Sequence, residues 1–409
     1  MKKTFTILIL LAASLAAAAQ TVDKTLRVDY IFSGDEKTCD IAVHGLSCSD
    51  NWYGRTVNMD KVPVKGNGQI RMKDLASGKI IYANSFSTLF SEWQMEKEAE
   101  ETRCAFENTF LLPMPEGKAE ITVECYDMKG GITGQLRHVV DPKEILIERK
   151  GVSKVDTRYI HKSGDPKECI DVVIVGEGYT AQERELFYKD ASDAVEAILN
   201  HEPFGEMKDR FNFLAVAPES EHSGVSVPRK GEWYDSPLKS HFDTFHTDRY
   251  LTTTEIFKLH DLLAGLPYEH IIILANTDTY GGGGIYNSYT LTTARHSLFK
   301  PVVVHEFGHS FGALGDEYDA NGYDNPFYCE GVEPWEMNIT TRTDFDSKWQ
   351  DMIDAGVKGV GLFEGAGYES KGIWRPAKDC RMRTNTAEGF CPVCIREIRK
   401  MIDFNCIEE

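Results

Sequence analysis

The sequence predicts a multidomain protein, an all-β sandwich followed by an α/β domain. Three observations predict it. Residues 20 to about 150 alternate apolar and polar side chains in short runs split by glycine-rich turns, which is the strand pattern of an antiparallel sandwich. From residue 170 onward, apolar runs alternate with helical patterns, the mark of an α/β unit. Residues 151–169 between them are polar and turn-rich, and read as a linker.

Taken in order, Leu26–Phe32, Lys79–Tyr82 and Ala119–Cys125 read as strands of the sandwich. Gly66-Asn67-Gly68, Ala76-Ser77-Gly78 and Lys129-Gly130-Gly131 mark its turns. Glu92–Arg103 is a polar stretch that fits a short helix or an exposed loop. His44 and His138 have no neighbours at ligand spacing and read as structural, so this half offers no chemistry of its own. In the second half, Ile170–Val175 is an apolar strand stopped by Gly176. Thr180 then caps a helix whose apolar face is Leu186, Ala194, Val195, Ile198 and Leu199. Phe211–Ala217 and His270–Asn276 follow as strands, the latter buried on both faces through Ile271-Ile272-Ile273-Leu274.

Composition removes several classes of function. With 42% hydrophobic, 27% charged and 11% aromatic residues in 409, the chain is globular rather than disordered. A formal charge of -19 argues against a nucleic-acid partner. The only long apolar run is residues 1–19, where Lys2 and Lys3 precede Ile7–Leu11 and Ala17-Ala18-Ala19 fits a cleavage site. That is a signal peptide, not a membrane span, and the protein is expected to be exported to the periplasm or secreted. Export favours disulfides among the ten cysteines. Cys39/Cys48 and Cys104/Cys125 are local candidates; Cys391-Pro-Val-Cys394 resembles a redox or zinc CxxC, but no second CxxC completes a four-thiolate site, so the C-terminal cysteines are read as disulfide-bonded, with structural zinc or redox work as the alternative.

Residues 302–318 carry the chemistry. On a helix, His305 and His309 share one face a turn apart, and Gly308 and Gly312 beside them leave room for a third group. Val303, Phe307, Phe311 and Leu314 fall opposite, at about 160–240°, as a core-facing stripe. Glu306 sits beside the imidazoles without having to be a ligand. Two imidazoles hold Zn²⁺, the metal acidifies a bound water, and the carboxylate takes the proton. Roughly 0.03 HExxH strings are expected by chance in this composition, so the match is informative. A catalytic zinc needs a third protein ligand, and Asp316 is the first choice, with Glu317, Asp319 and the more distant Glu330 as alternatives. The run Tyr280–Asn287 follows the buried strand. It fits either an edge strand offering Gly283, Gly284, Ile285 and Tyr286 to a substrate backbone, or a flexible hairpin loop.

The HExxHxxG string resembles the metzincins, although Gly315 stands where most of them have a third His. By that resemblance Met382, in Cys380-Arg381-Met382, is the candidate methionine turn beneath the metal. No Tyr follows it, which leaves Tyr318 or Arg383 for the oxyanion side. The whole string His305–Tyr318, with Cys380-Arg381-Met382 and Cys391-Pro-Val-Cys394, looks like the M64 family of secreted bacterial metallopeptidases, the IgA peptidases. Residues 165–409 carry the likeness, and the sandwich looks like the N-terminal domain that accompanies the family. The resemblance implies a metzincin-like α/β fold and a zinc ion. It also implies His305 and His309 as ligands, the Asp316-Glu317 pair as source of the third, and Glu306 as base in hydrolysis of extracellular protein or peptide substrates. A specificity for immunoglobulin A is not implied, because a family label does not fix a specificity pocket. The alternatives are a binding or adhesion protein with a structural zinc, and a zinc amidase acting on glycan or cell-wall substrates.

Overall fold

A computed structural model describes residues 20–319, 328–329 and 331–407; the signal-like segment and Glu330 lie outside the described residues. The first half is built from β1 (Thr21–Gly34), β2 (Cys39–Asp50), β3 (Gly68–Asp74), β4 (Ile80–Phe86), α1 (Leu89–Trp93), α2 (Glu98–Glu101), β5 (Cys104–Pro115), β6 (Ala119–Tyr126), β7 (Ile132–Val140) and β8 (Glu148–Arg149). They form two four-stranded sheets, ordered β5-β1-β2-β8 and β4-β3-β6-β7. Alternate residues of β1, β3 and β6 (Leu26, Val28, Tyr30, Phe32, Ile70, Met72, Ile121, Val123) bury together between the sheets in one core. Period-two alternation with one face in and one face out is what an antiparallel sandwich requires. The polar stretch after β4 is two short helices, and Thr88 starts α1 with a capping box to Ser91.

The second half comprises β9 (Asp156–Lys162), β10 (Ile170–Glu177), α3 (Arg184–Leu199), β11 (Phe211–Ala217), α4 (Ile256–Leu262), β12 (His270–Ala275), β13 (Gly282–Ile285), β14 (Tyr289–Thr293), α5 (Phe299–Ser310), α6 (Gln350–Asp354), β15 (Phe363–Ala366), β16 (Glu369–Arg375) and α7 (Pro392–Cys406). Its main sheet is ordered β13-β14-β12-β10-β11-β9. The four inner strands are parallel and the two edges antiparallel. Val172 and Ile174 of β10 face α3, α5 and α7, while Val173 and Val175 face the loops and α4 on the other side. Cover on both faces is why these strands read as unbroken apolar runs. The expected linker contains a strand: Asp156–Lys162 is the far edge of this sheet, paired with β11. Its largely exposed, polar side chains hid it, because an edge strand need bury little. Among the described residues no helix is long and apolar enough to cross a membrane.

At the start of β10, Asp171 is buried, and only one of its oxygens has a partner, the Asn212 amide at 2.9 Å. Burial pushes it up to about 7, and burial followed by the charge of Asp171 pushes neighbouring Glu269 up to about 8. Both folded values exceed the unfolded ones, so their contribution to stability is present at low pH and is lost as pH rises through that window. The melting temperature is therefore expected to fall from about pH 4, where the unfolded carboxyls ionise, to about pH 8, where the folded ones have done so, and Asp171→Asn to flatten the curve. An unchanged slope in that variant would remove Asp171 from the account.

Candidate metal centre

Helix α5 carries Pro301 in its first turn, where the missing N–H costs nothing, and buries Val302, Val303, Val304 and Phe307. His305 and His309 project from it with Nε2 atoms 3.1 Å apart. Each ring is fixed from behind: His305 Nδ1 bonds the Arg381 carbonyl at 3.0 Å and His309 Nδ1 the Leu314 carbonyl at 2.6 Å. A carbonyl only accepts, so both Nδ1 atoms carry the proton and both Nε2 lone pairs face forward. The helix ends sooner than periodicity implies. Phe311 is its cap, and Ala313 at φ 54° turns the chain back, so Leu314 reaches the core from a loop.

That turn delivers Asp316, whose Oδ1 lies 3.1 Å from His305 Nε2 and 3.2 Å from His309 Nε2. Bonds of about 2.0–2.1 Å in a tetrahedral site imply donor–donor edges of about 3.3 Å, so the three donors stand close to one face of a zinc-sized tetrahedron. Asp316 is buried, and its Oδ1 has no hydrogen-bond donor, as fits an atom whose partner is a cation. Burial alone would raise Asp316; the two imidazoles outweigh it and hold the carboxyl well below the usual range. The other oxygen accepts the Tyr368 hydroxyl. Tyr368 sits at φ 66° in the β15–β16 turn, a conformation costing a bulky residue of order 1–3 kcal/mol, and Gly367 N–H and Tyr368 N–H bond the Asp316 and Tyr318 carbonyls.

Met382 is fully buried in the Cys380–Thr384 turn and packs against α5 at Gly308. A Cβ on Gly308 would fall 2.6 Å from its sulfur. Glu306 faces β13, which is the edge strand rather than a hairpin loop: a Cβ on Gly282 would meet Glu306 Oε1 at 2.9 Å. Burial raises Glu306 above the ordinary glutamate range, and the two histidines pull it back only in part. Of the expected substrate residues, Gly283, Gly284, Ile285 and Tyr286 all line a cleft of about 770 Å³ with His305, Glu306 and His309. The edge is partly taken, since Gly282 N–H bonds the Arg249 carbonyl and the Tyr286 carbonyl accepts Ser87 N–H. Ile285 and Tyr286 bury their side chains, which leaves the backbone around Gly284 for a pairing chain.

The alternatives to Asp316 separate cleanly. Glu317 turns the other way, toward Cys380, Cys391 and Cys394, and Asp319 is exposed; Glu330 lies outside the described residues. Tyr318 stacks along His305 with ring centroids 6.3 Å apart, and Arg383 lines the cleft while bonding the Lys378 carbonyl. The sandwich does reach the cleft. Glu92 of α1 accepts the Tyr250 hydroxyl in the same cleft, and burial pushes it up to about 7. No local spacing could announce it, because its partners lie far along the chain. None of the ten cysteines forms a disulfide. Cys39 and Cys48 begin and nearly end one strand, about 30 Å apart at strand rise, and cannot bond. Cys104 and Cys125 belong to different sheets, and Cys125 instead meets the Cys39 thiol.

The IgA peptidase M64 model matches residues 159–359 and 357–402, and the model of the peptidase M64 N-terminus matches residues 18–136. No curated protein matches the chain.

Two substitutions test the geometry. A Cβ at position 284 would lie 2.3 Å from the Glu306 carbonyl oxygen and 2.9 Å from His309 Cβ, so Gly284→Ala should lift β13 off α5. A loss of about 1–3 kcal/mol in chemical denaturation is expected. Tyr368→Phe removes the donor that orients Asp316 and should weaken metal binding about 10–100-fold in chelator competition, with the circular dichroism unchanged. Wild-type affinity in that variant would detach Tyr368 from the site.

Proposed function

The chain belongs to the IgA peptidase M64 family and is a peptidase, and from that premise we propose that it is a secreted zinc endopeptidase with a metzincin-like catalytic domain, cutting extracellular proteins. One observation carries the reading: three donors 3.1–3.2 Å apart, one of them a buried carboxylate oxygen without a donor, beside a carboxylate that is not part of the set. His305, His309 and Asp316 would hold the ion, and two imidazoles with one carboxylate suit zinc and leave a position open. When bound, such an ion supplies Lewis acidity toward a peptide carbonyl and lowers the pKa of water toward about 7.

The chain's own residues do the rest. Glu306 accepts the proton of the attacking water and returns it to the departing amine; its raised affinity for protons suits both steps. The backbone near Gly284 pairs an extended substrate, placing the scissile bond over α5. Met382 supports the imidazoles from below, and Tyr318 and Arg383 stand at the cleft wall where a developing oxyanion could be met. The N-terminal run of residues 1–19 supports export.

Digestion of unfolded casein provides the test. Glu306→Gln is expected to keep its metal and its melting temperature while losing about 10²–10⁴-fold in kcat. His305→Ala should lose the ion of this site as well as the activity. Proteolysis that survives in either variant, or in protein stripped with o-phenanthroline, would overturn the reading.

A further inference from the structure

We propose that Glu317, Cys380, Cys391 and Cys394 form a second zinc site, closed and structural, back to back with the first. Their ligand atoms lie within 4.8 Å of one another, and all four residues are buried. Cys380 Sγ and Cys394 Sγ are 3.8 Å apart. Zinc–sulfur bonds of about 2.3 Å give a tetrahedral sulfur–sulfur edge of about 3.8 Å, whereas a disulfide needs about 2.0 Å. The Glu317 oxygen lies 3.0 Å from Cys394 Sγ and 3.9 Å from Cys391 Sγ, either side of the about 3.5 Å expected for a mixed edge. Four protein donors fill a tetrahedron and leave no position for water, which is the arrangement of a structural site.

The surroundings favour a cation over thiols alone. Glu317 is fully buried and forms no ion pair among the described residues; one oxygen takes the Asn338 amide at 3.1 Å, and the other has no donor. A carboxylate so placed needs a counter-charge. Cys391 caps α7 ahead of Pro392, so the CxxC pair sits at the positive end of a fifteen-residue helix. The Cys391 N–H points at Cys380 Sγ from 3.2 Å, a donor suited to a metal-bound thiolate. Linking any two of the thiols would leave the third unpaired and Glu317 buried without a counter-charge. The donor that completes the set is a carboxylate, which is why the count of CxxC motifs missed it.

Such an ion would clamp three segments that build the catalytic centre. Glu317 follows Asp316 directly, and its N–H bonds the Met382 carbonyl at 2.8 Å. Cys380 opens the Met382 turn, and Cys391 and Cys394 anchor α7. Soft sulfur donors in tetrahedral array select zinc.

Metal analysis of the purified full chain tests this independently of catalysis. Wild type is expected to carry two zinc ions per chain, and His305→Ala/His309→Ala, which keeps all four buried donors, to carry one. Cobalt loaded into that double variant should show a thiolate charge-transfer band, and Cys394→Ser should abolish the band and lower the melting temperature. Should Cys394→Ser fail to fold, the histidine double variant still decides. A double variant that is metal-free, or mass spectrometry of denatured, alkylated protein showing two of these cysteines joined, overturns the proposal. A single wild-type ion lost with the histidines would sink this site and spare the catalytic one; a single ion that survives their loss would do the reverse.

Discussion

The arrangement depends on one constraint: two imidazoles a helical turn apart must face a carboxylate brought back by the chain that leaves the same helix. Three lone pairs this close, one of them on a buried carboxylate, would be costly unless they share a positive partner. Everything near α5 serves that closeness. Gly308 admits the Met382 sulfur, Gly282 and Gly284 admit an edge strand against the helix backbone, and Gly312 lies where a Cβ would meet the Gly308 carbonyl at 2.7 Å. Backbone carbonyls at Arg381 and Leu314 fix both rings, and a tyrosine held in a strained turn fixes the acid. The cost of that strain is offset by the bonds Gly367 and Tyr368 make to the loop carrying Asp316.

The sandwich is part of this centre rather than an appendage. Ser87 N–H bonds the Tyr286 carbonyl, and Asn287 reaches back to the Ser85 carbonyl at 2.7 Å, so the strand beside Glu306 is tied to the first half. Arg27 bonds Asp261 at 2.7 Å, and the Asn58 amide bonds the carbonyls of Phe404 and Ile407 at the far end of α7. With α1 planted in the cleft wall, Glu92 adds a titratable group to the surface a substrate must cross. Shape and charge on that side of the cleft therefore come in part from the N-terminal half.

How much was legible in the sequence follows from what local periodicity can encode. It reports which face of an element is buried, and so the HExxH face, its apolar stripe and the all-aliphatic inner strands were readable residue by residue. It does not report partners. Edge strand β9 was hidden because its neighbour β11 is about fifty residues on and asks little apolar surface of it. Glu92 was hidden for the same reason, its partners Tyr250 and Glu306 being brought near only by packing of the two halves. The cysteines misled because strand length, not spacing in sequence, decides which thiols meet: the ends of β2 are held apart, while Cys39 and Cys125 converge from opposing sheets.

Asp316 and Glu317 were the hardest pair to separate, and the reason bears on how the centre is built. They are chemically alike and adjacent, so composition cannot assign them, but on a chain that is no longer helical they diverge. One enters the histidine cluster and the other the thiol cluster. The peptide unit between them is therefore shared by both clusters, and its N–H is held by the carbonyl of Met382, the residue packed against Gly308. Any displacement of the thiol cluster must move Asp316, because no flexible link intervenes. The C-terminal helix, distant in sequence from the HExxH string, is thus joined to the histidine cluster through a single peptide unit, which the Met382 carbonyl and the Gly367 N–H hold from either side.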